Sequence, residues 1–169
     1  MRVEYINPFV EAAFNVLKEV TNASGGPGGA ADVKRGDLYL KSTSMRIMGV
    51  AALVGLAGDV EGRVLFDMDK ESALFVVSCM NGEEFKVMDE MAKATIQELA
   101  NMITAQAVTK LHDLGFKFDL TPPALFTGDN MEVSSNMGKE VEALIVPMHM
   151  SLGPKKGRIE INVVIRERM

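Results

Sequence analysis

The stretch RIMGVAALVGLAGDVEGRVLFD, residues 46–67, decides the fold. Two largely apolar runs, 46–56 and 63–67, flank a short segment, 58–62, that contains two glycines and an aspartate. Apolar runs of this length on either side of a glycine-containing turn are typical of a β-hairpin. The sequence therefore predicts two neighbouring strands near the middle of the chain, with a turn over 58–62.

The other elements follow from apolar spacing and from the positions of glycine and proline. A strand is predicted before the hairpin, over 37–42. After the hairpin come a short helix over 70–80, which Asn81-Gly82 ends, and a long helix over 87–114, which Gly115 ends. Beyond the break at Pro122-Pro123, further strands are predicted over residues 124–127, 131–136, 140–151 and 158–168.

The N-terminal segment predicts a helix over residues 7–20, because apolar residues recur there at helical spacing. Asn7 is suited to cap this helix and Pro8 to occupy its first position. The segment SGGPGG, residues 24–29, predicts a loop. It lacks the Gly-Lys-Ser/Thr sequence of a phosphate-binding loop.

The predicted order is helix, strands, two helices and strands. Strands joined by short turns favour an α+β fold, in which helices pack on one face of an antiparallel sheet. The order suggests two halves of similar plan that meet near 82–84, although no clear repeat supports an internal duplication. The length of 169 residues predicts a single domain over 1–169.

Composition excludes several classes of function. The net charge of −5 and the absence of a basic stripe argue against a nucleic-acid partner. No apolar run reaches the ~18 residues that predict a membrane span, and the first residues lack the layout of a signal peptide. Cys79 is the only cysteine, which suits a reducing compartment. We therefore expect a cytoplasmic protein without a membrane partner.

The long helix has an apolar stripe and an unusual opposite face. The stripe consists of Ala92, Ile96, Leu99, Ile103, Ala107 and Leu114. At about 100° per residue, Glu98 and Asn101 are about 60° apart and lie roughly 180° from this stripe. Ala94 and Ala105 flank the pair on the outer face. Polar residues on such a face are most often solvated, but small neighbours also suit the close approach of another protein.

Other candidate residues favour structural roles. His112 and His149 are too sparse to indicate a metal site. Cys79 is expected to be a small buried apolar side chain. Asp67, Asp69 and Glu71 are interpreted as a turn and the N-terminal cap of a helix rather than as metal ligands.

Four segments in the same order resemble the chemotaxis phosphatases of the CheC/CheX/FliY group, and the CheX branch most closely. They are INPFVEAA at 6–13, VGLAGDVEGRVLF at 54–66, DE at 89–90 with ELANMI at 98–103, and FDLTPPA at 118–124 with TG at 127–128. The resemblance implies a CheC-like fold. It also implies hydrolysis of the aspartyl phosphate on a CheY-like response regulator.

The resemblance assigns separate roles to the outer-face pair. It implies that Glu98 pairs with a lysine in the regulator and that Asn101 orients the attacking water. The regulator supplies its own aspartate, lysine and Mg²⁺, so no cofactor is expected on this chain. This is consistent with phosphoryl-transfer chemistry, which depends on positioning and charge neutralisation. A second carboxylate near the phosphoryl group would repel it, and a neutral amide does not.

The resemblance also implies one site per chain and a homodimer that shares a sheet edge. Members of the CheC branch carry the acid-amide pair on two helices, but here the first helix reads Glu11-Ala-Ala-Phe14-Asn15. Ala94 stands where the family usually has Asp or Ser, and Ala105-Gln106-Ala107 replaces a glycine-containing segment. There are two alternatives to the phosphatase hypothesis. The chain could be a non-catalytic module that binds a receiver, or a structural dimerisation protein.

Overall fold

The computed structural model describes residues 3–22, 31–42, 45–134 and 142–167. The described helices are α1 (Val3–Asn22), α2 (Lys70–Asn81) and α3 (Glu90–Asp113). The described strands, in chain order, are β1 (Asp32–Arg35), β2 (Tyr39–Ser42), β3 (Met45–Arg46), β4 (Val50–Gly58), β5 (Val60–Met68), β6 (Phe118–Leu120), β7 (Ala124–Thr127), β8 (Glu132–Val133), β9 (Glu142–Leu152) and β10 (Lys155–Glu167).

Eight of these strands form one antiparallel sheet with the order β1-β9-β10-β5-β4-β6. At its two edges, β2 also pairs with β9 and β7 also pairs with β4. β3 and β8 form a separate two-stranded ribbon. The predicted α+β fold is confirmed. The single domain and the two halves of similar plan stay predictions.

The three helices lie on one face of the sheet. Successive residues of a strand point to opposite faces, so the strand residues that pack against the helices alternate with residues on the other face. Val64, Phe66 and Met68 of β5 belong to the main hydrophobic core, together with buried residues of all three helices. Leu65, which lies between them in sequence, belongs to a smaller cluster with Met45 of β3. α1 packs against both α2 and α3.

The central hairpin is tighter than the sequence predicted. β4 continues to Gly58 and β5 begins at Val60, so the predicted turn over 58–62 was wrong. Asp59 makes the turn, and its backbone N–H donates to the Lys117 carbonyl at 2.9 Å. The predicted strand over 46–56 is also interrupted over 47–49, where Gly49 has a φ of 144°.

The first helix begins at Val3, so the predicted cap at Asn7 and the predicted first position of Pro8 were wrong. Pro8 lies inside the helix, where it removes one backbone hydrogen bond. Tyr5, in the turn before Pro8, is anchored to the core. Its ring is almost fully buried and packs edge-on against Phe116, with 4.9 Å between ring centroids.

Other boundaries differ by a few residues. The long helix ends at Asp113, and Leu114 is 59% exposed as its C-terminal cap, so its place in the apolar stripe was wrong. β1 and β6 were not predicted. The predicted loop over 24–29 lies outside the described residues, as do parts of the predicted strands over 131–136, 140–151 and 158–168. None of the helices in the described ranges is long and apolar enough to span a membrane.

Asp67 is a buried strand residue rather than part of a turn, which corrects the sequence-based interpretation. Its carboxylate accepts a hydrogen bond from the Met48 N–H at 2.9 Å, and Glu160 of β10 lies directly opposite in the sheet register. Burial raises the pKa of Asp67 to about 6, and the charge of Glu160 adds to the rise. The prediction for Asp69 is confirmed, since it caps α2 by accepting from the Ser72 N–H at 2.7 Å.

A buried carboxyl with a raised pKa predicts a pH-dependent stability. The contribution of Asp67 is most favourable when it is protonated and is lost as the pH rises through about 6. Between pH 7 and pH 5 the change amounts to about 1 kcal/mol. Asp67→Asn removes this titration. We expect the Tm advantage of Asp67→Asn over the native chain to be roughly 2–4 °C greater at pH 8 than at pH 5 in thermal unfolding. An equal difference at both pH values would contradict this.

Candidate active site

α3 is an amphipathic helix with a capped N-terminus and one buried side. Asp89 caps its first turn by accepting from the Ala92 N–H at 2.8 Å. The predicted stripe is buried apart from Leu114: Ala92, Ile96, Leu99, Ile103 and Ala107. Burial of this stripe against the sheet and α1 fixes which side of α3 faces solvent.

Glu98 and Asn101 lie on that solvent-facing side, as the helical arithmetic predicted. Both residues are exposed, and so are Ala94 and Ala105 on either side of them. Neither of the two side chains forms a hydrogen bond or an ion pair with another described residue. Residues three apart on a helix are neighbours, with about 5–6 Å between their Cβ atoms. A carboxylate and a carboxamide are therefore presented together, and both are available to an external partner.

The corresponding segment of α1 does not present such a pair. Glu11 is engaged by Lys110 of α3 in an ion pair, and Phe14 packs partly buried against the core. The acid of this segment therefore faces α3, and an aromatic ring occupies the position of the amide.

The other candidates are not brought together. His112 is exposed on α3, with its Nε2 3.4 Å from the Phe118 carbonyl oxygen, while His149 is exposed on β9. Cys79 is buried in α2, and burial raises the pKa of its thiol, as expected of a small core side chain. Within the described ranges, no three His, Cys, Asp or Glu side chains lie close enough together to hold a metal ion.

Comparison with known proteins identifies the family. Residues 50–149 match the family described as chemotaxis phosphatase CheX. The chain belongs to the CheX family. The matched range contains α3 complete, and therefore both Glu98 and Asn101.

Individual CheX relatives support this assignment. The CheY-P phosphatase CheX of Thermotoga maritima is 36% identical over 87 residues, which cover 51% of this chain and 56% of that protein. The match thus spans about half the length of that relative. In the CheX–CheY–BeF₃–Mg²⁺ complex from Borrelia burgdorferi, the similar chain is 43% identical with a TM-score of 0.76, covering 98% of this chain and 100% of that one. A CheC-like superfamily protein from Shewanella is 27% identical with a TM-score of 0.76, covering 98% and 99%.

Sequence reasoning missed the polar residues that bind α3 to the neighbouring elements. Asn81 was considered only as a helix stop, and Thr95 and Gln97 were not considered at all. The structure places Asn81 against Thr95, and Gln97 against the backbone at Pro123. The sequence signal that could have found them is that Thr95 and Gln97, both uncharged and polar, lie on the two borders of the apolar stripe of α3.

Proposed function

We propose that this chain accelerates hydrolysis of the aspartyl phosphate on a CheY-like receiver domain. Glu98 docks on the receiver, and Asn101 orients the attacking water. The observation that carries the proposal is the exposed acid-amide pair on the outer face of α3, free of other described residues and flanked by Ala94 and Ala105.

The proposed division of labour follows from the chemistry of phosphoryl transfer. An aspartyl phosphate needs a water in line with the bond that breaks, and charge neutralisation at the phosphoryl oxygens. The receiver supplies its own lysine and Mg²⁺, so this chain contributes no cofactor. The carboxamide of Asn101 is neutral and can hold a water by hydrogen bonds without repelling the phosphoryl group. The carboxylate of Glu98 would form an ion pair with the receiver lysine.

The receiver partner is supported by the 43% identical relative, whose solved structure is described as a CheX–CheY–BeF₃–Mg²⁺ complex. A receiver partner and the single cysteine of the chain also favour a cytoplasmic location.

The proposal is tested by the loss of phosphate from a phosphorylated CheY-like receiver, with and without this chain. We expect the chain to accelerate the loss beyond the receiver's own hydrolysis, with turnover at substoichiometric amounts. Binding to a beryllofluoride-treated receiver without acceleration would instead support the non-catalytic module. Neither binding nor acceleration would contradict both hypotheses.

We also propose a homodimer that joins at the sheet edge formed by β1 and β2. Within the described residues these strands pair only with β9, so their outer backbone groups are available to another strand. Leu40 of β2 is 58% exposed, which supports a covered edge. Light scattering should give twice the chain mass of 18.4 kDa, and Leu40→Lys should lower it. A monomeric mass at micromolar concentration would contradict the proposal.

A further inference from the structure

We infer that Thr95 and Gln97 are positioning residues, which fix α3 on its two flanks so that Asn101 is held where it can orient the attacking water. The inference rests on the proposed function and extends it to side chains that do not touch the receiver. It is carried by two sets of side-chain hydrogen bonds that join α3 to different parts of the fold.

The first set joins α3 to the end of α2. Asn81 Nδ2 donates to Thr95 Oγ1 at 3.0 Å and to the Val77 carbonyl at 2.9 Å. Thr95 Oγ1 in turn donates to the Met91 carbonyl at 2.8 Å. The Thr95 hydroxyl therefore accepts from α2 and donates to its own helix, and both bonds have ordinary lengths.

The second set joins α3 to the segment that leads into β7. Gln97 Nε2 donates to the Pro123 carbonyl at 3.1 Å. The next residue, Ala124, begins β7 and lies opposite Leu53 of β4. The bond from Gln97 therefore ties α3 to the start of an edge strand of the sheet.

α2, to which the first set joins α3, is bonded to the sheet at its other end. Ser72 of α2 accepts from the Arg158 N–H of β10 at 2.8 Å. Thr95 and Gln97 are two residues apart, or about 200° around the helix axis. Their hydrogen bonds therefore hold α3 from opposite sides, with the outer face that carries Glu98 and Asn101 between them.

Gln97 is placed to affect Asn101 most directly. The two residues are four apart, so their side chains are neighbours one turn apart on the helix surface. Since the Gln97 amide is bound to Pro123, this neighbour is fixed in place beside the proposed water-orienting carboxamide.

Apolar packing alone fixes α3 less sharply than these bonds. The buried residues of α3 include three alanines, Ala92, Ala100 and Ala107, and hydrophobic burial is non-directional. Hydrogen bonds require short distances and favourable angles. A displacement of about 1 Å at a reacting group can cost on the order of 10²-fold in rate, so small shifts or rotations of α3 matter.

The test uses matched variants at Thr95. Thr95→Val keeps the branched shape but removes the hydroxyl, whereas Thr95→Ser keeps the hydroxyl. We expect Thr95→Val to lower kcat for receiver dephosphorylation by about 10-fold while KM changes by less than about 2-fold. Thr95→Ser should restore kcat. Rates are expressed per folded molecule, measured by circular dichroism at the assay temperature.

Gln97 gives an independent test on a partly exposed site, should Thr95→Val fold poorly. Gln97→Met has a side chain of similar length without a hydrogen-bond donor, whereas Gln97→Lys retains a donor. We expect kcat to fall in the methionine variant and to stay close to the native value in the lysine variant. Native kcat in both Thr95→Val and Gln97→Met would overturn the inference while the proposed function stands, as would a rise in KM alone. A native chain that does not accelerate dephosphorylation would overturn both.

Discussion

Replacing Asn101 with alanine is expected to lower kcat for receiver dephosphorylation by about 100-fold or more, with little change in binding. Alanine removes the carboxamide, and the neighbouring carboxamide on α3, that of Gln97, is bound to the Pro123 carbonyl. The water would then reach the aspartyl phosphate only as often as it does in the isolated receiver. The measurement is phosphate release at saturating phosphorylated receiver.

Two further changes at the same position separate geometry from charge. Asn101→Gln moves the carboxamide outward by one methylene, so we expect a loss close to that of alanine. Asn101→Asp keeps the shape but places a negative charge near the phosphoryl group, so its activity should be low and should improve with salt. Glu98→Ala should instead raise KM, since Glu98 is proposed to dock.

Glu90→Gln is the matched control, because Glu90 is an exposed acid on the same helix more than two turns from Asn101. It should keep native kcat and KM. If Asn101→Ala retains half or more of the native activity, the water-orienting role is wrong even when the native chain is a phosphatase.

The outer face of α3 could be predicted because helical periodicity is a local property. A helix of 24 residues with a regular apolar stripe fixes its own buried side, and Glu98 and Asn101 follow from arithmetic. The end of α2 was equally local, since Gly82 has the left-handed φ of 68° that ends helices. The roles of Glu98 and Asn101 came from family resemblance and stay predictions.

The missed features depend on partners that are distant in sequence. β1 reads Asp-Val-Lys-Arg and has no strand-like pattern, yet it pairs with 148–151 of β9 across more than 100 residues. α1 extends N-terminally of Pro8, and its first turn carries Tyr5, which packs on Phe116 from a distant part of the chain. The bond between Gln97 and Pro123 likewise exists only once β7 has joined the sheet.

Gly62→Ala is expected to destabilise the fold by roughly 3–5 kcal/mol, which places it among the most damaging single substitutions. Gly62 has a φ of 152° and lies in β5 opposite Ile165 of β10. A Cβ at this position would lie 1.8 Å from the Val164 carbonyl oxygen, a backbone atom that cannot move without breaking the pairing of the two central strands. Backbone strain and steric overlap therefore act together.

Gly82→Ala is the matched control for strain without overlap. Gly82 has a φ of 68°, but a Cβ there would meet nothing within 4 Å, so the expected cost is only about 1–2 kcal/mol. Urea unfolding should therefore rank the native chain above Gly82→Ala and Gly82→Ala well above Gly62→Ala. Equal losses in the two variants would mean that β5 and β10 can separate locally to admit a methyl group. The close β5–β10 approach would then not explain why a glycine is needed at position 62.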